Sequence, residues 1–190
     1  MELALTVAIQ VLIIFILISI GFILTKSNKL NENGVKQLTD ILLIIVTPCV
    51  IIQAYQKEFD VNYLKGLFMA AIASAIIHII AVIVSYIFFK KEESLKYRVS
   101  RFSSICSNCG FMAIPLLSAA LGSDGVFYGS AYLVIFTLFY WTFGVYICTE
   151  DIKKCLSLKS ILINPGVIGV VIGLVLFFTQ IKLPYVLSES

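Results

Sequence analysis

The chain reads as an all-α integral membrane protein with about six transmembrane helices, the fourth of them broken, and three observations carry this. Its 190 residues are 60% hydrophobic and only 13% charged, with a mean hydropathy of +1.02. Those values lie outside the soluble globular range and inside the membrane range. Six segments, 3–24, 38–55, 64–89, 102–121, 126–148 and 161–178, approach or meet the roughly 20 apolar residues that a helix needs to cross a hydrocarbon core. One of them, 102–121, carries Ser103, Ser104, Cys106, Ser107, Asn108, Cys109 and Gly110 ahead of Pro115. A lipid-facing helix has no use for such a cluster.

The first segment follows Met1-Glu2-Leu3, which has no basic n-region, and no small-residue cleavage site follows it. It is therefore read as a retained span and not as a signal peptide. The second is short and holds Pro48, and Thr47 one residue earlier is placed to satisfy a local kink. Asp40, near its start, is expected at the membrane interface. In the third, Gly66, Ala70, Ser74 and His78 recur every four residues and share a helical face, which permits close contact with another helix.

The fourth segment is expected to lose regular helical hydrogen bonding between Cys106 and Ala113. Pro115 removes a donor and clashes one turn back, Gly110 lowers the cost of leaving helical geometry, and the hydroxyls and the Asn108 amide can satisfy freed backbone groups. Irregular backbone at membrane depth persists only where it is packed in protein or lines a cavity, as in the substrate sites of carriers. The fifth segment, 126–148, is long enough to span. In the sixth, Asn164-Pro165 suits a helix start, and Gly166, Gly169 and Gly173 form a packing face.

The connections 26–36, 90–101 and 153–159 hold 3, 5 and 3 basic residues, 11 of the 14, whereas the other side has only Lys57, Lys65 and Lys182. The positive-inside rule then puts both termini outside, with no soluble domain. Nucleic-acid binding has no support, and no cofactor is called for. The five cysteines are an odd number, mostly in apolar stretches, and read as small hydrophobes rather than a disulfide framework.

The run Ser107-Asn108-Cys109-Gly110-Phe111-Met112-Ala113-Ile114-Pro115-Leu116-Leu117, followed by Gly122, resembles the auxin efflux carrier family of membrane transporters. Gly21-Phe22-Ile23-Leu24, Thr47-Pro48, Trp141-Thr142-Phe143-Gly144, and Asn164-Pro165 with Gly173 and Pro184 agree in order and spacing. The resemblance implies a ten-span fold of two inverted five-span repeats, with broken fourth and ninth helices crossing near the midplane. On it, 1–149 is the first five-span repeat, 150–160 a cytoplasmic linker and 161–190 the first span of an incomplete second repeat. The expectation is then a fragment, a truncated gene product or a half that assembles, with a second copy or the missing second repeat as partner. The expected location is the plasma membrane, with the N-terminus outside.

The resemblance also implies that the asparagine of this motif contacts a substrate carboxylate, which makes Asn108 the first binding candidate, with Gly110 and Pro115 shaping the backbone. The half-helix entered near Pro115 would turn about half a positive charge toward the break, favouring a small organic anion. The competing reading of Asn108 is a cap that only satisfies backbone. Ser107 and His78 are secondary candidates, His78 also being readable as a hydrogen-bonded packing residue. No charged residue lies at a span centre, so no carboxylate proton relay is visible.

The leading function is thus a secondary transporter for a small organic anion such as a carboxylate. The alternatives are a non-transporting membrane scaffold that binds partners through its glycine faces and, more remotely, an intramembrane enzyme. The latter would use Ser130 with His78, or Cys106-x-x-Cys109. Gly129-Ser130-Ala131 lacks a nucleophile-elbow pattern, no His-Glu-x-x-His zinc site is present, and one CxxC stands alone. No metal site and no catalytic residue are expected.

Overall fold

The computed structural model describes residues 2–89, 95–149 and 158–184, and every regular element among them is helical. Parts of the expected connections at 90–101 and 150–160, and the tail from residue 185, lie outside the described residues. Helix α1 (Glu2–Lys26) is apolar on all sides, and Leu5, Leu12, Phe15 and Phe22 are each exposed by 60% or more. An apolar surface that the protein leaves uncovered belongs to lipid.

Helix α2 (Glu32–Ala54) starts two turns earlier than the apolar segment, because Asn31 caps it by accepting from the Gly34 amide at 2.8 Å. Its first turns, with Glu32, Lys36, Gln37 and Asp40, are polar. Pro48 cannot donate to the preceding turn, and the helix widens just before it into a π turn at Leu42–Val46. The Thr47 backbone N–H and hydroxyl both donate to the Leu42 carbonyl, the hydroxyl at 2.8 Å. Helix α3 (Val61–Phe88) is capped by Asp60, which accepts from the Asn62 amide at 2.8 Å.

The expected break in the fourth span is present. Helix α4 (Leu95–Ile105) stops, residues 106–108 are not helical, and the chain resumes as α5 (109–121), whose first turn, Cys109–Ala113, is a π turn. The Ala113 amide donates to the Asn108 carbonyl at 3.3 Å, a five-residue step in place of four. At Gly122 (φ 63°, ψ −151°) the chain reverses into α6 (123–149). The reversal is tight: a Cβ on Gly125 would lie 2.5 Å from the Leu117 carbonyl oxygen. Only glycine takes that φ at Gly122 without strain. The continuous run Ile114–Phe139 is therefore a hairpin of two helices, and α6 begins three residues before the expected 126. A short helix α7 (Leu158–Leu162) and extended Asn164 lead into α8 (Pro165–Thr179).

The core lies where α2, α6 and α8 meet, with Ile51, Tyr55, Phe127 and Phe177 wholly buried. Ser130 donates to the Phe127 carbonyl and accepts from the Tyr55 hydroxyl, both at 2.7 Å. The glycine face of α8 meets α2 directly, Gly169 against the backbone of Pro48 and Gly173 against the Tyr55 ring. The stripe on α3 faces α6: Gly66 is filled by the Tyr128 ring, and Ser74 and His78 are buried. Both small-residue faces are packing surfaces, as expected of such motifs.

Candidate functional site

The break opens onto a cavity of about 480 Å³ bounded by four segments. Residues 107–110 form one wall, and Asn164, Pro165 and Gly166 another. From α2 come Asp40, Leu43, Ile44 and Thr47, spaced by three and four residues and so on one helical face. From α6 come Leu133, Phe136, Thr137 and Tyr140, which repeat that spacing. The three π turns among the described residues reach this cavity, Leu42–Val46 through Leu43 and Ile44, Cys109–Ala113 through Cys109 and Gly110, and Tyr140–Gly144 through Tyr140. A π turn rotates the side chains that follow it, so three helices are locally re-aimed at one space.

Of the residues singled out in the sequence, Ser107, Asn108 and Gly110 line the cavity. Asn108 is exposed there, and the first turn of α5 starts beside it. Ser107 Oγ and Tyr132 Oη share a 2.9 Å hydrogen bond that ties the break to α6. Gly110 has open space where a Cβ would stand. Pro115 lies outside the lining and is exposed, so its part is in the backbone of α5 and not in the wall.

His78 stands one layer behind the wall, 1% exposed, its ring 5.0 Å from those of Tyr132 and Phe139. Its Nδ1 lies 2.7 Å from the Ser74 carbonyl, which can only accept, so Nδ1 carries the proton of that bond. Nε2 is buried without a hydrogen-bond partner. Ser130 is engaged with Tyr55 and Phe127, and the His78 Nδ1 with Ser74, so these bonds form no serine–histidine dyad. Among the described residues, no three His, Cys, Asp or Glu side chains are grouped so as to hold a metal ion.

Asp40, Thr47, Thr137, Tyr140 and Asn164 are wall residues that reading along the chain did not assign to the site. Their signal was present as polar positions at helical spacing, but nothing in one sequence says which helix faces meet. Asn164 Oδ1 is committed to the amides of Gly166 and Val167 at 3.0 and 3.3 Å, which caps α8 at the cavity edge. Asp40 is the one Asp, Glu, Lys or Arg of the lining. It was expected at the interface, and its place on the α2 face brings it into the same wall as Thr47.

Residues 6–156, which span α1 to α6, match the model of a family described as membrane transport protein. No curated protein and no solved structure matches the chain. With four helices among the described residues long and apolar enough to cross a membrane, the chain is an integral membrane protein of a transporter family rather than an enzyme family. The match covers most of the chain and includes the broken helix with Asn108 and Pro115, and on it the chain belongs to the auxin efflux carrier family of membrane transport proteins.

Proposed function

We propose that this membrane transporter carries a small organic anion, a carboxylate, and binds it at the break beside Asn108. One observation carries the reading: Ser107 to Gly110 open directly onto a cavity at the start of α5. A helix start of this length offers unpaired amides and about half a positive charge to a negative guest. The Asn108 amide donates to the carboxylate, and Gly110 leaves room for the guest at the backbone. In the membrane, the basic connections face the cytoplasm and the N-terminus lies outside, in the plasma membrane. The cavity is bounded on one side only by the start of α8, and a second copy or a second repeat supplies the remaining wall.

The test uses the protein in proteoliposomes, with acetate, malonate and benzoate as probes. Asn108→Ala weakens carboxylate binding by about 5- to 150-fold, corresponding to loss of a charge-assisted bond of about 1 to 3 kcal/mol. Expression and membrane insertion stay unchanged. Equal affinity in the variant would reduce Asn108 to a cap of the broken helix.

A further inference from the structure

Resting on that anion reading, we propose that Asp40 couples a cation to the anion: the carboxylate guest is held only when a proton or an alkali-metal ion neutralises Asp40. The cavity wall contains this acid and no lysine or arginine. Asp40 shares its face of α2 with Leu43, Ile44 and Thr47, and that face and Asn108 line the same cavity. Lys36 precedes it by one turn on α2, yet among the described residues the ion pair formed is Lys57 with Asp124, and Asp40 has none. Its carboxylate makes no hydrogen bond either among those residues. The other titratable side chains facing the cavity are Cys109 on α5 and Tyr140 on α6, and α8 presents none.

Two negative charges in one cavity of this size repel, and the partial charge at the start of α5 offsets only part of that. The exposed Asp40 side chain can take its proton from water at the cavity mouth, which converts a carboxylate to a neutral acid with no other bond changed. By linkage, whatever favours the neutral form favours the anion, and a bound anion favours the neutral form by the same free energy. An alkali-metal ion held between Asp40 and neighbouring oxygens meets the same requirement. Either way the cargo is an anion with its counter-charge, and transport of a monovalent pair carries no net charge.

The experiment measures binding of acetate, malonate and benzoate to the reconstituted protein across acidic to mildly alkaline buffers, with choline or sodium as the only metal-free or metal cation. In the wild type, affinity falls as pH rises, by up to about tenfold per pH unit, the limit for one coupled proton. Asp40→Asn flattens that profile and holds the affinity at its acid-side value, while Asp40→Glu keeps the slope. If sodium is the coupling ion, replacing choline by sodium at alkaline pH strengthens binding in the wild type and not in Asp40→Asn. Binding by the wild type with the same pH and sodium profile as a correctly inserted Asp40→Asn protein overturns the coupling and leaves the anion reading intact. Failure of all three probes to bind the wild type at any pH overturns both.

Discussion

Helix α2 and the fourth span meet proline in nearly the same way and come out differently. Each has a five-residue π turn just before it, Leu42–Val46 ahead of Pro48 and Cys109–Ala113 ahead of Pro115. In each, an amide at the end of that turn reaches back five residues, Thr47 to Leu42 and Ala113 to Asn108. Yet α2 runs on unbroken toward its N-terminus, whereas the fourth span is open at 106–108. Proline alone therefore does not open the helix, and Tyr140–Gly144 is widened with no proline after it, so the difference lies in what stands upstream. Upstream of the α2 π turn, Thr39, Asp40 and Ile41 stay helical although two of them are polar, so polarity by itself does not open the helix either. Upstream of the other π turn stand Cys106, Ser107 and Asn108, and Ser107 finds Tyr132 across the gap.

Packing reinforces the difference. Pro48 is buried with the glycine face of α8 pressed against it, and the space beside Gly110 is empty. The largest effect therefore belongs to the closed site: a Cβ on Gly169 would lie 2.9 Å from Pro48 Cα and 3.2 Å from its carbonyl oxygen, both backbone atoms that cannot step aside. Gly169→Ala should push α8 off α2 and destabilise the protein by about 1 to 3 kcal/mol, as overpacking does. Thermal unfolding of the detergent-solubilised protein measures this. Gly21→Ala, at a position inside α1 with nothing within 4 Å, is the matched control and should leave the unfolding midpoint in place or raise it slightly.

A smaller loss is expected from removing the side chain that keeps α2 closed. Thr47→Val preserves shape and β-branching but deletes the hydroxyl that donates to the Leu42 carbonyl. The cost should be about 0.5 to 1.5 kcal/mol, the usual net value of one hydrogen bond. Amide hydrogen exchange should quicken across residues 42–47 and stay unchanged in α3. Equal protection in the variant would mean that the Thr47 backbone amide alone closes the turn.

Much of this contrast was legible along the chain. Pro115 with seven small or polar residues before it announced an open helix, and Thr47 beside Pro48 announced a kink satisfied locally. The glycine spacings on α3 and α8 announced close packing, though not that α8 would choose Pro48 as its neighbour. Helix starts were misjudged wherever a cap, and not apolarity, sets them, as Asn31 does for α2 and Gly122 for α6. The cavity wall was legible only in part. Asn108, Gly110 and Ser107 belong to the break itself, whereas Asp40, Thr137 and Tyr140 arrive from other helices, and their faces are set by tertiary packing and by π turns that leave no local signature. Pro115 was read as shaping the backbone, and it stands outside the cavity lining.

The smallest change in stability is expected at the open site, where the effect on binding should be the more informative. Gly110 lies in the π turn with no positive φ, and nothing stands within 4 Å of a Cβ built there. Gly110→Ala therefore meets no steric penalty, and restricting the unfolded chain should leave stability unchanged or raised by no more than about 1 kcal/mol. The added methyl projects at a residue of the cavity wall, where a guest would approach the backbone. Benzoate binding should weaken more than acetate binding, because the bulkier anion has less room to shift away from the new group. The measurement is the ratio of the two affinities in wild type and variant, alongside the unfolding midpoint. An unchanged ratio with an unchanged midpoint would place the anion elsewhere in the cavity, away from the break. A lowered midpoint would mean instead that the π turn depends on glycine, and that the two proline sites differ less than their surroundings suggest.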